Sequence, residues 1–206
     1  MGWTSEMVAQ IYNISREKQD HYAHISHSRA EKVKNPHVPL FIYDSLNVPQ
    51  AIEAGRFASE IIPIEIDGRI ISADDTVRHG VTVPSLSALK PVFPQWGPGE
   101  NIGEATTTAG NASGVGDGAA ICILTTRSRA QREGWDVLGK WVWSSLVGVE
   151  PKVMGIAPVI AIPKLLESTG LMKEDVDLWE INEAFASQFA YCVEQLGVPI
   201  EKINPK

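Results

Sequence analysis

Asp175–Val193, DVDLWEINEAFASQFAYCV, changes its hydrophobic period partway along. Val176, Leu178 and Glu180 alternate with Asp177, Trp179 and Ile181, a strand-like period of two. From Ala184 to Leu196 the apolar residues Phe185, Phe189, Val193 and Leu196 recur at helical spacing. The switch falls at Asn182-Glu183. A strand running into a helix across a short polar turn is the junction at which open α/β sheets present chemistry, because the strand's carboxyl end and the helix's amino end face one crevice. Two readings of the pair follow. An amide beside a carboxyl can orient a water or an oxyanion, or the two residues cap the helix, which asparagine does well.

Composition narrows the function classes. The chain has 206 residues, enough for one domain or two small ones, and a formal charge of −7. Neutralising phosphates requires clustered lysine and arginine, so a nucleic-acid partner is not expected. No run of eighteen or more apolar residues occurs, so no membrane span is expected. The start, MGWTSEMV, lacks the apolar core of a secretory signal. These features predict a soluble intracellular protein. The two cysteines, Cys122 and Cys192, each sit within an apolar stretch and read as small core residues rather than as a disulfide or a nucleophile.

Outward from the junction, Thr4–Tyr12 and Ser15–Lys32 read as helices, the second with Ser15 as N-cap and Glu17 in its first turn. His21, His24 and His27 lie three apart on it. Steps of three drift around the cylinder and no carboxylate or cysteine completes a set, so no metal site is expected. Residues 33–50, VKNPHVPLFIYDSLNVPQ, carry three prolines and interrupt what would otherwise be a continuous helix and turn. Glu60–Ile66 and Ile70-Ile71 around Gly68 predict a hairpin. Gln95–Gly103 reads as a crossing loop, Ala119–Leu124 as a buried strand, Ser128–Gly134 as a short charged helix and Gly139–Val149 as a strand. A turn and helix follow, with Pro158 near the start and Gly170 past the end.

Four blocks then resemble one family. WEINEAFA, Trp179–Ala186, resembles the Asn-Glu-Ala-Phe block of the thiolases, which make or break carbon–carbon bonds in acyl-CoA esters. MGWTSEMVAQIYNISREKQDHYA resembles the segment that opens their inserted, CoA-covering loop domain. DDTVRHGVTVPSLSALKPVF, Asp74–Phe93, and TTTAGNASGVGDGAAICILTT, Thr106–Thr126, resemble two further blocks in the family's order. The resemblance implies an α/β protein with a partial thiolase fold (αβαβα layered), made of the loop domain and pieces of both core halves. Residues 1–134 would be an incomplete N-terminal domain, with the loop domain over about 1–100 and an atypical insert at 33–50, and 135–206 an incomplete C-terminal domain. The insert reads either as a retained intron, since its bounding valine and glutamine codons can carry the usual intron edges, or as a surface loop, where insertions cost little entropy.

The resemblance also implies roles. Arg78 and Ser85 would lie against CoA, Ser113 against the pantetheine arm and Met154 along the acyl pocket, while Asn182 would stand on the oxyanion side of catalysis. A guanidinium suits Arg78's role because it stacks on adenine and pairs with phosphate; the alternative is a surface ion pair with Asp74 or Asp75. CoA would be a substrate, and no cofactor is implied. The family's nucleophilic cysteine, its Gly-His-Pro histidine and its second catalytic cysteine have no counterpart here, and neither Cys122 nor Cys192 falls in a family cysteine motif. Two functions follow as expectations. One is a 3-ketoacyl-CoA thiolase activity of fatty-acid β-oxidation, exerted in a complete form. The other is a non-catalytic CoA-binding or thiolase-pairing role. A homodimer or pairing with a full-length thiolase is expected, and a peroxisomal location, with mitochondrial or cytoplasmic as alternatives.

Overall fold

The computed structural model describes residues 1–30, 61–72, 77–94 and 104–205. The insert at 33–50, the crossing loop at 95–103 and the two aspartates considered as partners of Arg78 lie outside the described residues.

Two helices open the chain, α1 at Gly2–Ile11 and α2 at Arg16–Ala30. Asn13, at φ 55°, turns the chain between them, and the Ser15 hydroxyl accepts the Lys18 N–H at 3.3 Å, so Ser15 caps α2 as its sequence predicts. The predicted hairpin forms from β1, Ile64–Ile66, and β2, Arg69–Ile71, with Ile64 opposite Ile71. Asp67 at φ 49° and Gly68 at φ 73° supply the two left-handed positions that a tight two-residue turn demands. A short helix, α3, spans Val83–Ser87, and α4 spans Arg127–Glu133, ending on Gly134 at φ 69°. A 3-10 turn at Pro151–Ile156 leads into α5, Ala157–Thr169, which stops at Gly170, φ 68°. The last helix, α6, covers Ala186–Leu196 and stops at Gly197, φ 58°.

The main core lies around α6. Phe189, Cys192, Val193 and Leu196 pack on Trp179, Ile181, Val198 and Ile203, all buried, with Tyr22 of α2 and Val159, Ile162 and Leu166 of α5 against them. Phe189, 2% exposed, meets Tyr22 edge-on at 5.7 Å between ring centroids. A smaller cluster of Val8, Val153 and Ile156 joins α1 to the 3-10 turn. Helices from the first thirty residues therefore pack directly on elements more than a hundred residues away.

Three expected strands need correction. Among the described residues the hairpin is the only strand ladder. Ala119–Leu124 forms no strand and is exposed, with Ile121 at 96% and Ile123 at 79%. Gly139–Val149 likewise forms no strand, with Trp141, Trp143 and Leu146 exposed. Asp175–Ile181 follows a 3-10 turn at Lys173–Asp175 and holds a single parallel bridge, Trp179 to Ile203. The physical reason is common to all three: a strand is completed by its neighbour's amides and carbonyls, and no described segment runs alongside to supply a row of them. Cys122 goes with the first of these strands. It is exposed, not the core residue its apolar surroundings suggest, whereas Cys192 is fully buried.

Candidate functional site

Two buried carboxylates hold the loop that runs from Glu104 to Ser113. Glu6 of α1, 2% exposed, accepts the Thr106 N–H at 2.9 Å and hydroxyl at 3.0 Å on one oxygen, and the Thr107 N–H at 2.8 Å on the other. Asp20 of α2 has no exposed surface; it pairs with Arg16 Nε at 2.8 Å and accepts Asn111 Nδ2 at 3.0 Å. Asn111 in turn accepts the Thr108 N–H at 2.7 Å and donates to the Thr106 carbonyl at 3.1 Å. Ser5, Thr107 and Ser187 share hydroxyl contacts of 2.7 Å that link α1, the loop and the start of α6. Two histidines that the sequence raised as metal candidates serve the same scaffold, His24 Nδ1 lying 3.1 Å from the Val81 carbonyl and His27 Nε2 3.0 Å from that of Gly110.

The loop then pairs with the turn before α6. Ser113 N–H donates to the Ala184 carbonyl at 3.0 Å and Ala186 N–H to the Asn111 carbonyl at 2.8 Å, an antiparallel bridge centred on Ala112 and Phe185. Two of the sequence blocks are thereby laced together. The helix starts later than its apolar spacing predicts: Phe185 is the N-cap, and its N–H is accepted by the Gln188 side chain at 3.2 Å. Asn182 and Glu183 are therefore not its cap, and the capping reading of that pair falls. Glu183 instead accepts Asn204 Nδ2 at 2.7 Å, and Asn204 also brackets Ile181, accepting its N–H at 2.8 Å and donating to its carbonyl at 2.7 Å. Behind it Arg29, 5% exposed, donates to the carbonyls of Ile200, Ile203 and Asn204. Burial lowers the Arg29 guanidinium from its usual range, and the nearby Glu183 and Glu201 carboxylates act in the opposite direction.

Asn182 stands where two cavities meet. The larger, about 630 Å³, is bordered by α2, by Arg78, by the Gly110–Val115 stretch including Ser113, and by Asn182 and Glu183. The smaller, about 210 Å³ and mostly apolar, is bordered by Met1, Met154, Gly155, Pro158, Phe185 and Gln188, and again by Asn182. Of the residues the sequence singles out, the structure thus groups Arg78 with Ser113 and Met154 with Asn182, and Asn182 with both. Ser85 borders neither cavity. Its hydroxyl is committed to a capping box at the start of α3, with the Thr82 N–H at 3.0 Å and the Thr82 carbonyl at 2.8 Å.

The arrangement suits a long ligand with an anionic end and an apolar end. A cleft with a guanidinium and an apolar pocket share one exposed carboxamide, whose N–H groups can serve an oxygen that gains negative charge. Neither cysteine borders either cavity. Burial pushes the Cys192 thiol up to about 11, which leaves it protonated and poorly nucleophilic at neutral pH. The sequence did not single out Asn111, Gln188 or Asn204. Asn111 lies inside a quoted block, and Gln188 stands three residues after the N-cap, the spacing at which a capping box can be found. Asn204 gave no signal, because Ile181, which it brackets, lies 23 residues earlier.

Comparison with known proteins matches the Thiolase, N-terminal domain family at residues 42–128 and the Thiolase, C-terminal domain family at 135–206. The peroxisomal 3-ketoacyl-CoA thiolase A of Candida tropicalis is 43% identical over 99% of this chain and 45% of its own length. The crystal structure of the dimeric peroxisomal thiolase of Saccharomyces cerevisiae superposes with a TM-score of 0.83 at 41% identity, over 100% of this chain and 46% of that one. Human mitochondrial 3-ketoacyl-CoA thiolase, solved in complex with CoA, superposes at 0.79 with 34% identity over 99% of this chain and 45% of that one. The chain thus spans a little under half the length of these relatives. With both family domains present in order along a backbone that follows solved thiolases over its whole length, the chain belongs to the thiolase family.

Proposed function

We propose that this chain is the ligand-gripping part of a thiolase-type acyltransferase that, in a complete protein, acts on 3-ketoacyl-CoA and CoA in fatty-acid β-oxidation. The observation that carries this reading is the position of Asn182, shared between the cleft of Arg78 and Ser113 and the pocket of Met154. In this reading the CoA nucleotide and pantetheine occupy the larger cleft. Arg78 binds the anionic end, and Ser113 contacts the arm. The acyl chain enters the Met154 pocket. The thioester carbonyl then lies beside Asn182, whose carboxamide donates to the oxygen as carbon–sulfur or carbon–carbon bond making drives negative charge onto it, directly or through a water. CoA acts as substrate, and no cofactor is called for. Ser85, which closes the capping box that Thr82 opens on α3, is proposed to lie near the ligand.

A second reading, a CoA-binding chain without turnover, is favoured by one specific observation. Neither thiol borders the cavities, and the buried one is held protonated. Calorimetry with CoA and an assay for thiolysis of acetoacetyl-CoA separate the two. Turnover by the purified chain would contradict the lack of a nucleophile, binding without turnover supports the second reading, and no binding of either ligand sinks both. Replacing Arg78 with alanine is expected to weaken CoA about tenfold, the worth of one charge-assisted contact, and to flatten the salt dependence of binding. An affinity within about twofold of wild type would remove Arg78 from the site.

The peroxisomal names of the yeast relatives support a peroxisomal location, to be checked by organelle fractionation of tagged protein. The dimeric yeast structure supports a homodimer or pairing with a longer thiolase. The exposed tryptophans at 141 and 143 offer apolar surface for such a contact, and sedimentation would report it.

A further inference from the structure

The turn that carries Asn182 is fastened from within α6. Gln188, 5% exposed, uses both ends of its amide: Oε1 accepts the Phe185 N–H at 3.2 Å and Nε2 donates to the Asn182 carbonyl at 3.3 Å. Gly155 makes the space for it, because a Cβ there would come within 2.6 Å of Gln188 Cγ and 2.7 Å of its Cβ. Capping needs only the first of the two bonds. The second reaches past the cap by three residues and adds nothing to the helix; its effect is to fix Asn182. Since Gln188 also borders the apolar pocket, one side chain both lines that pocket and holds the residue at its mouth.

We infer that Gln188 is a positioning residue of the site: its bond to the Asn182 carbonyl seats Asn182 between the two cavities, so that it governs how the acyl end of a ligand is held and not how the nucleotide end is held. This rests on the acyl-CoA reading of the cleft. Asn204 secures the other side of the same turn through Ile181, so the seat is defined by two amides on opposite flanks.

Two substitutions in the full chain test it. Gln188→Glu keeps an acceptor for the Phe185 N–H but sets a carboxylate oxygen against the Asn182 carbonyl, while Gln188→Met keeps the volume and removes both bonds. Hydrogen exchange at the Phe185 amide, followed by NMR, is expected to stay close to wild type in Gln188→Glu and to accelerate about tenfold in Gln188→Met. Calorimetry is expected to show acetoacetyl-CoA weakened about fivefold or more in both variants, with CoA unchanged within about twofold. A parallel loss for the two ligands would show a structural role only and overturn the inference, as would unaltered acetoacetyl-CoA affinity. If the wild-type chain binds neither ligand, the acyl-CoA reading falls while the exchange comparison still decides the clamp: equal Phe185 exchange in wild type and Gln188→Met overturns it.

Discussion

Glu6→Ala is expected to destabilise the protein by about 2–6 kcal/mol, because it strands two backbone N–H groups, that of the buried Thr107 and that of the half-buried Thr106, each worth about 1–3 kcal/mol and the second toward the lower figure. Domains of this size are stable by only about 5–15 kcal/mol, so a loss in the upper half of the expected span unfolds a chain whose stability lies at the low end of this range. Glu6→Gln is expected to rescue only part of the loss. Its single carbonyl oxygen can accept from one of the two amides, and its NH₂ then faces the other as donor against donor. Urea unfolding followed by circular dichroism reads both. A loss below about 1 kcal/mol for Glu6→Ala would mean that the 104–108 loop is held by something other than this carboxylate.

The second large effect is expected at Asp20. Its carboxylate is buried and serves Arg16 and Asn111 together, so Asp20→Ala leaves a guanidinium without its counter-charge, a change that costs about 3–5 kcal/mol at buried pairs. The figure belongs toward the lower end, because Arg16 keeps 19% side-chain exposure and two other acceptors, the Leu86 and Leu89 carbonyls. Asp20→Asn, which keeps the shape and one acceptor, is expected to lose less. A double substitution of Asp20 and Arg16 is expected to cost less than the sum of the singles, since each single leaves the other partner stranded. Additive losses in urea unfolding would show that the pair is not coupled. Both substitutions act on the loop that delivers Ser113, so each is also expected to weaken CoA where the chain still folds.

What could be read in advance followed from local rules. The hairpin was legible because its turn needs left-handed residues and Asp67-Gly68 supplies them. The ends of α4, α5 and α6 each coincide with a glycine of positive φ, and Ser15 announced the start of α2. The quoted blocks carried the family, and with it the grouping of Arg78, Ser113, Met154 and Asn182. The start of α6 was misplaced by two residues, since apolar spacing continues through Ala184 and Phe185 while the backbone there is already engaged with residues 111–113. The strand expectations failed for a related reason: side-chain alternation shows that a segment would suit a sheet, not that a neighbour is beside it. The Glu6 and Asp20 contacts were invisible because their partners lie about ninety to a hundred positions away, and a charged residue on an amphipathic helix gives no sign of which loop it will meet.

The short bridge between Ala112 and Phe185 is a seam between the portion matching one family domain and the portion matching the other. Both cavities open along it, one on each flank. A molecule lodged across the seam therefore loads the two portions simultaneously.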